Sequence, residues 1–364
     1  MMSKEWKIFT GEYSLKLSVV IMAGGSGKRF WPLSRESKAK QSLALFSEKT
    51  LLAETIERIS PVADDILVVS SLKQRAEIGC DTEKYKNVKV VYEPIGRNTA
   101  PCIMLALAAI KTRCGEDRAV LVLPSDHHVA YPEKFRKTVG KGLGFLEKNH
   151  ESIGTIGIEP AYPETGFGYI KKGDAAEDGV FKVASFEEKP CFEKAENFVK
   201  SGKYLWNGGI FIFSLYSMLE EFKKLTPDIY ETVNSLKSFD IPEREVYESL
   251  HSISFDYAVM EKTSKPLFTV PGDFGWNDVG SWKAYFDLLP KDEAGNAKVG
   301  KAVFINCRNS LVVNWTAKEV IVFNKERELL AVTQDALLSA TLDDHSKMRE
   351  ITEFLDNNGL KKLL

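Results

Sequence analysis

Leu15-Lys16-Leu17-Ser18-Val19-Val20-Ile21-Met22 runs directly into Ala23-Gly24-Gly25-Ser26-Gly27. A nearly unbroken apolar, β-branched run that ends in glycines is the pattern of a buried parallel strand entering a tight loop. Similar short runs follow at Ile66–Ser70, Val88–Tyr92 and Ala119–Leu123. Between them, Leu51, Leu52, Thr55, Ile56 and Ile59 share one helical face, and Cys102–Ile110 is apolar nearly all round, as a buried helix is. Asn98 or Thr99 can cap that second helix, with Pro101 in its first turn. Strands alternating with helices predict βαβ units with right-handed crossovers, hence a doubly wound, Rossmann-like α/β sheet. Ligands of such a sheet sit beyond the carboxyl ends of its strands.

Ile153–Phe213 is richer in strand signals and is expected to extend the sheet or to build a lid over its mouth. The charge-rich piece Lys171–Asp178 reads as a solvated loop. Helical patterning returns over Leu215–Leu250. After Gly300, short strands at even spacing predict a small β module, and Asp343–Leu355 a terminal helix with Met348, Ile351 and Leu355 on one stripe. A boundary near residue 292 divides the chain into 1–292 and 293–364.

The 364 residues carry a formal net charge of -2, which argues against a general nucleic-acid binder. No stretch reaches the roughly 20 apolar residues of a membrane helix and the first 16 residues lack a long apolar core, so the expectation is a cytoplasmic protein without membrane contact. Five cysteines without a CxxC pair point to neither a disulfide framework nor a thiolate zinc site.

Gly24, Gly25 and Gly27 let backbone N–H groups approach phosphate oxygens that a Cβ would hold away. A P-loop needs Ser or Thr after its GK and a dinucleotide fingerprint needs GxGxxG; Arg29, Phe30, Trp31 and Pro32 follow here instead, so neither fits. Arg29 and Lys40 add two cations shortly after the loop, suited to charge that builds on a reacting phosphorus. Ser125 and Asp126 end the Ala119–Leu123 strand, and Asp126 is a candidate ligand of a divalent ion between phosphates, together with Asp278 in Gly275-Trp276-Asn277-Asp278-Val279-Gly280-Ser281-Trp282. His127 and His128 read as hydrogen-bonding residues: adjacent histidines point different ways, and no Cys or His lies at ligand spacing.

The stretch Gly24–Arg35 with Lys40-Gln41 resembles the signature of the nucleotidylyltransferases that activate sugar 1-phosphates, and its Phe30-Trp31-Pro32-Leu33-Ser34 portion is similar to the mannose-1-phosphate guanylyltransferase branch. Gly96-Arg97-Asn98-Thr99-Ala100-Pro101 resembles the same branch and would place Asn98, Thr99 and Pro101 near nucleobase and ribose. The resemblance implies Asp126 and Asp278 as Mg²⁺ ligands, Glu188 as the group that recognises the hexose and Lys189 as the one that recognises its phosphate. Gly168, in Thr165–Ile170, and Asn207, in Trp206–Phe211, fall in segments similar to the family's sugar-pocket motifs. Phe255–Lys262 also matches, with Asp256 as support of the sugar site. Three positions depart from the family pattern: Ala39 where proline is common, Glu187 for an apolar residue, and Gly208 where serine is frequent.

The expected fold is therefore that of the nucleotide-diphospho-sugar transferases, a mixed sheet with a small C-terminal β module and terminal helix. The expected reaction joins GTP and mannose 1-phosphate into GDP-mannose and pyrophosphate. Another sugar or base with the same chemistry is the nearest alternative, and a non-catalytic nucleotide-sugar sensor a second. A fused isomerase acting on fructose 6-phosphate is disfavoured, because too little chain follows residue 300 and no His/Glu cluster is present. The β module and terminal helix offer surfaces on which a homodimer could pair.

Overall fold

The structure is a computed structural model and describes residues 15–25, 28–177 and 179–363. The four apolar runs are strands β1 (Lys16–Ala23), β2 (Asp65–Ser71), β3 (Val88–Glu93) and β4 (Arg118–Pro124), parallel to one another in the order β3-β2-β1-β4. Helices α1 (Leu51–Ile59), α2 (Arg75–Thr82) and α3 (Thr99–Cys114) connect them. Along β1 the side chains alternate between two cores: Val20 packs with α3, whereas Val19 and Ile21 pack with Ile56 of α1 on the other face. Burial on both faces is why the run shows no polar alternation. Asn98 caps α3 by accepting from the Thr99 N–H at 2.9 Å, and Ala100–Ile110 are buried throughout.

Beyond β5 (His128–Val129) and α4 (Pro132–Lys148), strands β6 (Ile153–Ile158), β7 (Tyr169–Glu177), β8 (Val180–Glu187), β9 (Tyr204–Ser214) and β10 (Leu267–Gly272) carry the sheet to nine strands. Their order is β3-β2-β1-β4-β9-β6-β10-β8-β7, so the middle of the chain extends the sheet. Because β9 is antiparallel to both β4 and β6, the sheet is mixed. Lys171–Glu177 belongs to β7 and is not a loop; Asp178 lies outside the described residues. Its polar side chains are accommodated because the outer part of β7 is half-exposed, while its backbone is satisfied by β8. Helices α5 (Phe192–Ser201), α6 (Leu215–Leu225), α7 (Pro227–Asn234) and α8 (Arg244–Glu248) complete this part.

After β11 (Trp276–Asn277) and α9 (Trp282–Leu288), the chain winds into a coil of parallel strands. β12 (Ala297–Val299), β14 (Leu311–Asn314) and β16 (Glu328–Val332) form one parallel ladder, closed by antiparallel β17 (Leu337–Thr341), and β13 (Ala302–Ile305) pairs in parallel with β15 (Val320–Phe323). Asn306, Asn309 and Asn324 take positive φ at its corners, a conformation that asparagine tolerates better than most residues. Helix α10 (Met348–Asn357) follows, burying Met348 and Leu355 and half-burying Ile351.

A third core joins this coil to the segment after the glycine loop: Phe30, Trp31 and Leu33 pack with Trp282 and Tyr285, with Leu311 and Leu329 of the coil, and with Leu355 of α10. The Trp31 indole donates to the Leu363 carbonyl at 2.8 Å, and Arg35 pairs with Asp335 at 3.1 Å.

Candidate active site

The glycine loop is held from behind by Gln41 of the Lys40-Gln41 pair and by two side chains outside any motif, Gln74 and Ser70. Gln41 donates to the carbonyls of Ala23 (2.6 Å) and Gly25 (3.2 Å), Gln74 donates to Gly25 at 3.1 Å, and the Ser70 hydroxyl donates to Ala23 at 3.0 Å. Gln41 and Gln74 also bond to each other at 2.9 Å and are both buried. This network fixes the course of the loop as it leaves β1. Gly24 and Gly25 line a cavity of about 470 Å³ at the carboxyl end of the sheet. Gly27 lies outside the described residues.

Asp126 and Asp278 are brought together by a two-residue ladder between β5 and β11, in which Val129 pairs with Trp276 and His128 with Asn277. The Lys40 ammonium ties the two strands' ends: it donates to Asp126 Oδ2 at 2.9 Å and to the Asp278 carbonyl at 2.5 Å. Burial by itself would raise the Asp126 carboxyl, but Lys40, His127 and Arg29 hold it at about 2. Val279, a buried β-branched residue, has φ 46° there, and its N–H is held by Asn277 Oδ1 at 2.7 Å. A positive φ at valine is strained backbone of the kind that collects at functional sites.

A Cβ on Gly280 would overlap Asp278 Oδ2 and lie 3.3 Å from Arg29 Nη1, so this glycine sets the position of both. Gly280→Ala is expected to leave the melting temperature within a few degrees and to cut turnover by about tenfold or more, since a displacement of about 1 Å at a reacting centre is costly. Unchanged kinetics in that variant would show that the Asp278 position does not matter.

His127 is fixed through its Nδ1, which accepts from the Trp276 indole at 3.1 Å, and burial lowers its pKa. His128 packs on Phe46, with ring centroids 4.1 Å apart. Among the described residues no group of three or more His, Cys, Asp or Glu side chains could hold a metal. Two carboxylates, one of them firmly ionised, suit Mg²⁺, which keeps several water or phosphate oxygens and takes only one or two carboxylates from a protein.

On the opposite side of the cavity, Gly168, Glu188, Asn207 and Asp256 meet. Gly168 has no room for a Cβ, because the Glu188 carboxylate lies against it. Lys189, with φ 47°, reaches back to Glu188 at 2.8 Å, and that bond raises its pKa. Asn207 donates to Asp256 Oδ1 at 2.8 Å. The three departures from the family pattern are each absorbed. Ala39 has φ -73°, within proline's range; Glu187 pairs with Lys194 at 2.8 Å on the surface; and a Cβ on Gly208 would press on the Ile156 carbonyl at 3.3 Å.

Burial and the Glu188 charge push Asp256 up to about 6. A carboxyl whose pKa rises on folding destabilises the fold at pH values above its unfolded pKa, increasingly until its folded pKa is passed. Asp256→Asn, which keeps an acceptor for Asn207, is therefore expected to raise stability at pH 8 by on the order of 2 kcal/mol and to change it little at pH 3.5. Denaturant unfolding at the two pH values checks this; equal effects at both would refute the charge argument.

At the remaining end, Asn98 and Thr99 line the cavity, but their side chains also serve the fold: Thr99 Oγ1 accepts from the Phe255 N–H at 2.8 Å. Pro101 is buried in the first turn of α3, and Ser125 is buried behind β1, its N–H on the Met22 carbonyl; neither is a wall residue. Glu93 is one, and sequence reasoning misses it because a single acid at the end of a strand has no pattern of its own.

This arrangement defines a class. The nucleotidyl transferase family model matches residues 18–295. The mannose-1-phosphate guanylyltransferases of Salmonella muenchen and Klebsiella pneumoniae are 37% and 38% identical over 357 and 355 residues, alignments that cover 94% and 93% of this chain and 74% of each relative. A crystal structure from Thermus thermophilus, described as a mannose-1-phosphate geranyltransferase, is similar with a TM-score of 0.85 at 32% identity, covering 94% of this chain and all of that one. The chain belongs to the nucleotidyl transferase family and, within it, to the mannose-1-phosphate guanylyltransferases.

Proposed function

We propose that this chain transfers GMP from GTP to mannose 1-phosphate, giving GDP-mannose and pyrophosphate. The observation that carries the reading is the ammonium of Lys40 bound at once to Asp126 and to the Asp278 carbonyl, beside a glycine-walled cavity at the ligand end of the sheet. In this reading a phosphate oxygen of mannose 1-phosphate forms the new bond to the α-phosphorus of GTP as the bond to the bridging oxygen of pyrophosphate breaks. A phosphate dianion needs no general base, so positioning and charge neutralisation supply the catalysis. Gly24, Gly25 and Gly27 cradle the triphosphate, Arg29 and Lys40 neutralise its charge, and Asn98 and Thr99 frame the nucleoside end, with Pro101 and Ser125 as buried support rather than contacts. Glu188, Asn207 and Gly168 receive the hexose and Lys189 its phosphate. Asp126 and Asp278 would hold Mg²⁺, which when bound would supply charge neutralisation for the reacting phosphates.

The division into 1–292 and 293–364, a cytoplasmic location and a homodimer belong to the same reading. The division is supported by the family match ending at residue 295, and among the described residues no helix is long and apolar enough to cross a membrane. Pyrophosphate release with Mg²⁺, mannose 1-phosphate and each of GTP, ATP, UTP and dTTP, repeated with glucose 1-phosphate, tests the reaction. Preference for GTP with mannose 1-phosphate is expected; another preferred pair would replace the substrates and keep the chemistry, and no release with any pair would leave a sensor.

A further inference from the structure

We propose a second ligand site on this chain, at the outer edge of the sheet, that takes a small molecule carrying phosphate groups and passes its binding to the glycine loop. A cavity of about 560 Å³ lies there between β3, α3, the start of α2 and residues 238–241, and it shares no described wall residue with the active-site cavity. Arg75, Lys89 and Arg113 line it, against one acid, Asp240, among the described wall residues. Lys89 and Arg113 have no hydrogen bond or ion pair to a described residue, and the Arg75 guanidinium lies over the Tyr92 ring, 5.6 Å from its centroid. Cations gathered around one hollow repel one another, and an anion seated among them relieves that repulsion.

The backbone adds a donor. β3 is the edge strand, so every second N–H faces away from β2. The Val88 N–H is taken by the Tyr85 carbonyl at 3.4 Å and the Tyr92 N–H by the Asp240 carbonyl at 2.8 Å. Val90, between them, turns its N–H to the same edge and lines the cavity, where Thr112 and Tyr92 also bring hydroxyls. Phosphate oxygens accept from all of these groups and bond most strongly to the charged ones. Three of the elements around this cavity continue into the active site. Arg75 follows Gln74, which holds the Gly25 carbonyl, and Tyr92 precedes Glu93 of the active-site wall. Helix α3 runs from Thr99 at the active-site cavity to Thr112 here, about 20 Å along one rigid element. An anion that draws Arg75 toward Lys89 and Arg113 therefore pulls on the residue next to the clamp of the loop.

Calorimetry with inorganic pyrophosphate in the absence of Mg²⁺ counts the sites. The probe is expected to bind the unmodified protein at one more site per chain than it binds a variant that combines Lys89→Gln with Arg113→Gln, because losing two charge-assisted contacts weakens that site by about 100-fold. Both side chains are exposed and make no bond to a described residue, so the variant is expected to fold and to keep its basal turnover. With GTP, mannose 1-phosphate and Mg²⁺ saturating, inorganic phosphate is expected to change kcat of the unmodified protein by about fivefold and that of the variant by less than about twofold. Equal pyrophosphate counts and affinities in the two proteins overturn the site. A kcat response to phosphate that is absent, or the same in both proteins, overturns its link to the glycine loop. The pyrophosphate count needs no turnover, so it decides the site by itself, whereas failure of the proposed reaction shows as no pyrophosphate release from any substrate pair.

Discussion

Lys40→Ala is expected to fold normally and to lose about 100- to 1,000-fold in turnover, the cost of removing one preorganised charge from a site where charge builds on phosphorus. The side chain is 5% exposed and fixed by two partners, so its orientation is settled before substrate arrives. The effect on stability is expected to be small, because the Asp126 carboxylate remains about one-third exposed and can be solvated once its partner is gone. Lys40→Arg keeps the charge in a larger planar group and is expected to recover only part of the rate. Steady-state kinetics at saturating Mg²⁺, with a melting curve for each variant, separates the two effects. Turnover equal to the unmodified enzyme would remove Lys40 from the mechanism, and it would remove the observation on which the proposed function chiefly stands.

Phe30→Ala is expected to be the most destabilising of the substitutions considered, by about 3–5 kcal/mol, the range for truncating a fully buried aromatic residue. Phe30 is 0% exposed, 5.0 Å from the Trp282 ring and 6.2 Å from Tyr285, at the point where the glycine-loop segment, α9, the coil and α10 share one core. The melting temperature should fall by on the order of 10 °C. Below that transition the variant should also turn over more slowly, since Arg29 is the next residue and depends on the same packing. A melting curve unchanged from the unmodified protein would mean that the coil does not support the loop. Loss of stability with full activity would mean that Arg29 is positioned by something else.

Local composition is enough to read the elements near the first glycine loop. β1, β2, β4 and α3 announce themselves because burial on both faces leaves little room for polar residues, so the runs are almost purely apolar. Polar elements are less legible. Lys171–Glu177 pairs as a strand although its composition is that of a loop, because the backbone of an outer strand is satisfied by its neighbour whatever side chains face water. The three residues of β12 are too few to show a period, and no sequence signal marks them.

The same contrast holds at the site. Which chemical groups are present is written in the chain: glycines after a buried strand, the cations Arg29 and Lys40, and the acids Asp126, Asp278 and Glu188. Which of them meet is a product of the assembled fold. The β5–β11 ladder draws Asp278 to Asp126, β9 enters antiparallel between β4 and β6 and carries Asn207 to the cavity, and the end of β3 sets Glu93 across from Gly24. Gln41 and Gln74 clamp the loop through carbonyls that no side-chain pattern encodes. The difference is one of range: periodicity and turn chemistry act over a few residues, whereas these contacts join segments far apart in the chain, and their geometry exists only once the sheet has formed.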